Sequence, residues 1–420
     1  MIKGKFNLHT VLKSGTFRSF ANPKYRRLWV IYVFVNMARK MQYPLLFWFV
    51  LEATDSPFKV ALVGFFGGFA GLFAGCFSGF LADKFNRLVV SRATILMDFL
   101  GSCSLTVFLM FGLASQTHAY MVAAIAGAAW AIDFASRRSL VYDLLGSDGV
   151  TNGMALDSGA LTGSKMVGPA LGGILIGLLS VKGAYGFVAL FFGVALMLSF
   201  TLTINQNKQL QSLGGSLWRN VYDSWLYVKA NKPILGVVII TILMCSLVFT
   251  HQSMIPVIAR DVLNVGPVGM GVLISASGFG SMIAIIIVAT FRTRRHGLIY
   301  LGGCLFTVLC LIGFAMSTKF HLSLPILLVA GLGVGTFSTF QGALTMLVAK
   351  TEMRGRALGV IAIANGAGFV GVLLMGYIAE QYSPSTAILF CSTLALIGIT
   401  LVGLCIPSLI RKVEVEANSV

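Results

Sequence analysis

Twelve long apolar runs occupy most of this sequence, and each is long enough to cross a lipid bilayer. A membrane-spanning helix needs about 20 apolar residues. The runs fall at 28–51, 57–82, 88–113, 118–142, 153–180, 183–204, 233–261, 267–291, 297–317, 321–349, 355–380 and 384–410. They are continuous rather than alternating, and unpaired backbone groups are costly in lipid, so helices are predicted and strands are not. The sequence therefore predicts an all-α polytopic protein with twelve transmembrane helices.

Composition and charge agree with a chain that is embedded in a bilayer. Only 11% of the residues are charged, whereas soluble domains carry about 25%. The net charge of +17 comes from basic residues in short loops between apolar runs, so no nucleic-acid partner is expected. The seven cysteines lie inside apolar runs without metal-ligand spacing, and neither a metal nor another cofactor is expected.

The distribution of basic residues predicts the orientation of the chain. Of the 31 Lys and Arg residues, 24 fall in segments and helix ends on the side of the membrane that holds both termini, four fall on the other side, and three, Arg39, Lys40 and Lys165, lie deep within helices. Basic residues concentrate in cytoplasmic loops. We therefore expect a bacterial inner-membrane protein with both termini in the cytoplasm, surrounded by lipid and monomeric.

A polar stretch at 205–232 divides the chain into two six-helix bundles, 28–204 and 233–410. Segments 1–27 and 411–420 are predicted to be cytoplasmic ends. Within the linker, Leu217, Val221 and Trp225 recur at helical spacing, which predicts an amphipathic helix on the membrane surface. The halves also share a Gly-rich segment, 168–173 and 371–376, and duplicated halves commonly build a binding site at their interface.

The ionisable residues of most interest lie deep within the predicted helices of the first half, where a charge is costly unless it meets a partner or a cavity. They are Arg39, Lys40, Asp98, Asp133, Arg137, Asp157 and Lys165. One interpretation is mutual neutralisation, and the other is an electropositive cavity for an anionic substrate. Adjacent Arg39 and Lys40 point about 100° apart on a helix, so they face different surroundings.

The acids also supply candidates for proton coupling, in the order Asp157, Asp133 and Asp98, because a carboxylate near a base in low dielectric can exchange a proton near neutral pH. Asp157 shares a helix side with Lys165, two turns away. Asp133 has Arg137 at i+4, which leaves two acids for three bases and predicts an excess of about one positive charge. Such an excess favours anionic over cationic substrates.

Several motifs resemble those of the major facilitator superfamily. Residues 79–87 follow the pattern G-x-L-A-D-(R/K)-x-x-(R/K) of its loop between helices 2 and 3, and residues 164–173 are similar to its antiporter motif G-x-x-x-G-P-x-x-G-G, with Ser164 in place of the first Gly. Residues 25–29, 131–137, 155–158, 227–233 and 353–359 resemble the branch that contains the enterobactin exporter and macrolide-efflux proteins. The sequence departs from that branch at Arg39 and Lys40, where an acidic residue is common.

The resemblance implies a transport cycle and roles for particular residues. Gating is expected from Asp83, Lys84, Arg87, Arg137, Arg354, Arg356, Gly168 and Pro169, with Asp83 bracing the cytoplasmic helix ends. Substrate contacts are expected from Arg39, Lys40, Lys165, Asn36, Tyr43, Gln341 and Asn365.

The leading functional interpretation is proton-driven export of a small amphiphilic or anionic molecule, siderophore-like or drug-like, by alternating access. An importer or uniporter of an organic anion is the alternative. A membrane sensor or enzyme is a third class, but the sequence shows no catalytic constellation and no phosphate-binding loop.

Overall fold

The computed structural model describes residues 15–204, 217–291, 295–350 and 353–409; within these, the side chains of Thr16, Phe80, Ala82, Asp83 and 217–222 are outside the description. The first three long helices are α1 (Pro23–Thr54), α2 (Pro57–Lys84) and α3 (Arg87–Met110). A helical stretch then runs from Gln116 to Phe200, with non-helical backbone at Gly146 and Ser180. These two breaks divide it into α4 (116–145), α5 (147–179) and α6 (181–200).

The second half follows the linker helix α7 (Leu217–Ala230). It comprises α8 (Lys232–Val262), α9 (Gly266–Thr290), α10 (His296–Ala315), α11 (Phe320–Val348), α12 (Arg354–Gln381) and α13 (Pro384–Cys405). Short 3-10 segments, Gly15–Ala21 and Pro407–Leu409, flank the two bundles.

The predicted count of twelve spans is confirmed within the described residues. Nine helical stretches there are long and apolar enough to cross a membrane. The stretch Gln116–Phe200 contains three of the spans, and α1 adds one more. The helices form because the backbone of each apolar run must satisfy its own hydrogen bonds in lipid.

Capping side chains mark the starts of four helices. The side chains of Asn22, Ser56, Asn86 and Ser383 accept hydrogen bonds from backbone N–H groups of the first turns of α1, α2, α3 and α13. Such caps satisfy donors that have no partner inside the helix. At the break between α4 and α5, Gly146 has a φ of +64°, a conformation that glycine adopts without steric cost.

Two helices of the second half are irregular. Helix α8 changes from α to π geometry at Met244–Val248, continues as a 3-10 helix over Phe249–Ser253, and ends in a second π segment. Helix α12 is interrupted between Asn365 and Gly368. Such interruptions inside membrane helices often line binding sites.

Helices α1, α2 and α3 pack against α4–α6, and α8 to α13 pack together in the second half. The bundles meet where α5 packs on α9 and where α2 packs on the second segment of α12. The backbones approach closely at glycines: a Cβ on Gly173 would lie 3.1 Å from the Cα of Gly271, and a Cβ on Gly68 would lie 2.9 Å from the Cβ of Phe369. Small residues allow this approach between membrane helices.

Polar contacts join the two halves at one end of the molecule, which we call the closed end; it contains the connections at 55–56, 180, 263–265 and 382–383. There Arg260 of α8 forms an ion pair with Asp55. The Glu380 carboxylate accepts hydrogen bonds from Ser56 Oγ at 2.8 Å and from the Phe58 N–H at 3.1 Å. At the opposite end, the first segment of α12, Arg354–Asn365, packs on α7.

The linker forms a helix where the sequence predicts one. Trp225 is half exposed and Val228 is fully buried, while the side chains of Leu217 and Val221 lie outside the described residues. The cytoplasmic placement of 1–27, 205–232 and 411–420 stays a prediction, and most of those residues are not described.

Candidate functional site

A cavity of about 340 Å³ lies between the two halves, near the middle of the helices. The first half contributes charged and aromatic groups from α1 and α5, and the second half contributes neutral groups from α8, α9, α11 and α12. The lining residues are Arg39, Lys40, Tyr43, Pro44, Phe47, Gly64, Lys165, Pro169, Phe249, Thr250, Gln252, Ser253, Ile274, Ser277, Gly278, Ser281, Val334 and Val372. Both halves therefore build the candidate site, as duplicated bundles predict.

Lys40 and Lys165 are the two cations of the cavity wall whose charge is uncompensated. Within the described ranges no side chain forms an ion pair or hydrogen bond with either ammonium group, and the lining contains no carboxylate. Lys40 sits where α1 and α5 touch, because a Cβ on Gly168 would lie 2.7 Å from the Cβ of Lys40.

Arg39 also borders the cavity, but its charge is directed into the first bundle. Its Nε and Nη2 donate to Asp98 Oδ2 at 3.0 and 2.8 Å, and its Nη1 donates to Asp133 Oδ2 at 3.0 Å. All three side chains are almost completely buried. For Arg39 the interpretation of mutual neutralisation therefore holds, and this buried cluster joins α1, α3 and α4.

The seven candidate residues still sum to one positive charge, four bases against three acids, but the structure separates the bases that have acidic partners from those that do not. Asp98 and Asp133 are both bound by Arg39, and Asp133 also lies 3.6 Å from Arg137 Nε and accepts from Ser91 Oγ at 2.9 Å. Neither acid reaches the lysines, because Arg39 holds both acids on the far side of α1. The cavity wall therefore contains two lysines without a carboxylate partner among the described residues.

The spacing of Asp157 and Lys165 along the helix predicts that the two side chains share one side of α5. Lys165 lines the cavity, but Asp157 does not. It is buried, and the Tyr25 hydroxyl lies 3.1 Å from its Oδ1 and 2.8 Å from the carbonyl oxygen of Gly153. Arg137 acts on Asp157 electrostatically. The Arg137 guanidinium stacks on the Tyr32 ring at 4.0 Å, and among the described residues its nitrogens have no hydrogen-bond partner.

Of the four neutral candidates, one lies in the cavity lining. Tyr43 lines the cavity. Asn36 donates to the carbonyl oxygen of Tyr32 at 2.9 Å, within its own helix. Gln341 donates to Thr241 Oγ1 at 2.8 Å and to Asn365 Oδ1 at 3.1 Å. Asn365 is exposed, and neither amide belongs to the cavity lining.

The gating candidates occupy several places. The Asp83 side chain lies outside the described residues, Lys84 lies 5.8 Å from the Phe85 ring, and Arg87 bonds Asp143 at 2.7 Å. Arg354 and Arg356 are exposed at the start of α12. Arg137 is buried beside Asp133. The gating contacts expected of all these charged residues stay predictions.

Gly168 and Pro169 have a clear packing role. Pro169 has no N–H, so the carbonyl oxygen of Lys165 loses its helical donor. That oxygen faces α9, where a Cβ on Gly278 would lie only 2.8 Å from it. The N–H of Ala170 donates to Ser275 Oγ of α9 at 2.9 Å. At this motif α5 therefore lacks some of its own backbone hydrogen bonds and instead contacts α9 of the second half.

Sequence reasoning missed two sets of residues. One is the second-half wall of the cavity, above all Phe249, Thr250 and Ser253; Pro256 in the same run was a signal of irregular helix. The other is the pair of contacts at the closed end, made by Arg260 and Glu380. Isolated charges near loops gave no indication that they join opposite halves.

Two groups of membrane helices with a cavity lined by both are the architecture of a membrane transporter. The chain belongs to the transmembrane secretion effector family, whose model matches residues 14–419. The resemblance to the major facilitator superfamily is thereby confirmed.

Known relatives and solved structures agree with this family. The chain is 21% identical over 343 residues to a staphyloferrin A transporter of Staphylococcus aureus (strain NCTC 8325 / PS 47), covering 80% of this chain and 84% of that protein. A mutant of the nucleoside transporter NupG superposes with a TM-score of 0.73 at 13% identity, covering 92% of this chain and 100% of that one. A peptide transporter POT mutant in complex with alafosfalin gives 0.70 at 11% identity, with 92% and 95% covered.

Proposed function

We propose that this transporter exports a small amphiphilic anion, siderophore-like or drug-like, in exchange for protons. The observation that carries the proposal is the pair of uncompensated ammonium groups, Lys40 and Lys165, beside the aromatic side chains of Tyr43, Phe47 and Phe249 in the cavity. Positive potential in a cavity with low-dielectric walls concentrates anions and repels lipophilic cations. The aromatic groups favour a substrate with an apolar part.

The family and one relative favour export of this class of molecule. The family is described as transmembrane secretion effectors, and secretion is movement out of the cell. The staphyloferrin A relative adds support for a siderophore-like molecule among the anionic candidates. At 21% identity this support concerns the class of substrate and not the particular compound.

The arrangement of contacts between the halves supports alternating access. If both termini are cytoplasmic, the closed end faces the outside, and the cavity in this conformation receives substrate from the cytoplasm. Release on the outside requires separation of Arg260 from Asp55 and of Glu380 from the start of α2. The α5–α9 contact separates in the same step, since it also joins the halves.

Proton coupling is assigned to Asp157 as the first candidate. Asp98 and Asp133 are held by Arg39, whereas the hydrogen-bond partner of Asp157 is the Tyr25 hydroxyl. Arg137 lies close enough to interact with both Asp133 and Asp157. When Asp157 loses its proton, Arg137 has a second carboxylate to bind. Because Asp157 lies on α5 and Arg137 lies on α4, the protonation state of Asp157 then affects how these two helices are held together.

Transport in proteoliposomes tests the proposal. With an imposed pH gradient, the transporter should accumulate an anionic fluorescent siderophore conjugate and should not move ethidium. Lys40→Gln and Lys165→Gln should reduce that flux, whereas Lys182→Gln, which removes one exposed lysine at the start of α6, should not. Ethidium transport together with unchanged flux in both cavity variants would contradict an anionic substrate.

Uptake or uniport of an organic anion is a second candidate, because the same two lysines attract anions whichever way the cycle runs. A deletion strain distinguishes them. Loss of an exporter makes the host sensitive to its substrate or abolishes secretion, whereas loss of an importer abolishes growth on the substrate.

A further inference from the structure

We propose that the substrate carries two anionic groups at one end and a neutral hydrogen-bonding group, such as a hydroxyl or an amide, at the other. This inference rests on the proposed function, because it names the class of anion that the cavity accepts. It predicts discrimination by charge number: a dicarboxylate is bound in preference to a monocarboxylate of the same size.

The number of anionic groups on the substrate is inferred from the part of the cavity wall that the first half forms. Lys40 and Lys165 both line the cavity, and the acids nearest to α1 are bound on its other side by Arg39. One carboxylate leaves one of the two ammonium groups without a counter-charge inside the membrane, where an unpaired charge is costly. Two carboxylates compensate both, so the second anionic group adds binding free energy.

The second-half wall is neutral, and most of its hydroxyl donors are already used. Thr250 donates to the Ser246 carbonyl at 3.3 Å, Ser253 to the Thr250 carbonyl at 2.8 Å, and Ser281 to the Ser277 carbonyl at 2.9 Å. Such bonds to the preceding helical turn are usual for membrane-helix Ser and Thr.

Gln252 and Ser277 differ from these three residues. Both line the cavity, and in the part of the chain that the structure describes neither side chain makes a hydrogen bond. An amide and a hydroxyl can each donate and accept, so they suit a neutral polar group. The substrate is thereby oriented with its carboxylates toward α1 and α5 and its neutral polar group toward α8 and α9.

Fluorescence titration of the purified transporter in nanodiscs tests the inference with dansyl-glutamate and dansyl-glutamine. The two probes share a fluorophore and a backbone and differ by one carboxylate. The full-length protein should bind dansyl-glutamate about tenfold more tightly or better, the effect of one hydrogen-bonded charge pair. Lys40→Gln and Lys165→Gln should each abolish that preference, so that the two probes bind about equally.

Matched variants separate this charge effect from general damage. Lys40→Arg and Lys165→Arg should retain the preference, and so should Lys182→Gln, which removes an exposed charge distant from the cavity lining. Gln252→Leu should weaken both probes by a similar factor and leave their ratio unchanged. A thermal melt of each variant identifies any that is misfolded.

Three outcomes would overturn the inference: equal affinity of the parent protein for both probes, loss of the preference in Lys182→Gln, or no binding of either probe by a protein that transports other anions. The proposed function fails separately. If dansyl-glutamate binds with the expected preference but no anion crosses proteoliposomes under a pH gradient, the binding inference stands and export does not.

Discussion

Replacement of Arg39 by methionine removes the centre of the buried charge cluster, and its effect on stability is calculable. Arg39 donates three hydrogen bonds of 2.8 to 3.0 Å, two to Asp98 and one to Asp133. Methionine fills much of the same space without charge. Removal of one partner from a buried ion pair costs about 3–5 kcal/mol, because the other charge stays buried and uncompensated. We expect the free energy of unfolding to fall by that amount.

The cost depends on Asp98 more than on Asp133. Asp133 keeps Ser91 and Arg137 after the change, whereas Asp98 has no other hydrogen-bond partner among the described residues. The double variant Arg39→Met with Asp98→Asn should therefore recover most of the lost stability. Asp98→Asn alone should cost less than Arg39→Met, since Arg39 retains Asp133.

Denaturant unfolding in mixed micelles, followed by intrinsic fluorescence, measures these differences. Arg87→Met is the matched control, because Arg87 pairs with Asp143 in a partly exposed position, and such pairs contribute about 0–1 kcal/mol. Equal stability losses for Arg39→Met and Arg87→Met, or no recovery in the double variant, would refute the account of a buried ion-pair cluster.

Three further predictions concern the transport cycle. Asp157→Asn should leave the protein in the membrane and capable of substrate exchange while pH-driven accumulation is lost; normal accumulation would transfer the coupling role to another acid. Glu380→Ala removes the acceptor of two hydrogen bonds at the closed end, so labelling of a cavity cysteine by an impermeant maleimide from that end should quicken about tenfold, and an unchanged rate would exclude a gating contact. Gly271→Leu should abolish transport because a side chain there collides with α5, whereas Gly342→Leu, with no atom within 4 Å of the added Cβ, should be tolerated; equal activity of the two in a transport assay would count against close α5–α9 approach.

The helices themselves were predictable from the sequence. In lipid each run must satisfy its own backbone hydrogen bonds, so an apolar stretch of sufficient length forms a helix whatever its neighbours are. Local turn signals such as Ser56 with Pro57 also placed the boundaries, because a cap and a proline act within one turn. The irregular geometry of α8 was not predicted; its irregular segments contact α12, a neighbour that lies more than 100 residues away along the chain.

The sequence by itself also placed the ionisable residues inside the membrane and gave their sign, but only the tertiary structure decided their partners. Arg39 and Lys40 are adjacent and similar in chemistry, yet one is bound by acids and the other faces the cavity. The choice depends on Asp98 and Asp133, which lie 59 and 94 residues from Arg39 along the chain. Helical spacing fixes directions within one helix, whereas the charge of the cavity depends on which helix packs on each side, and that is a property of the assembled bundle.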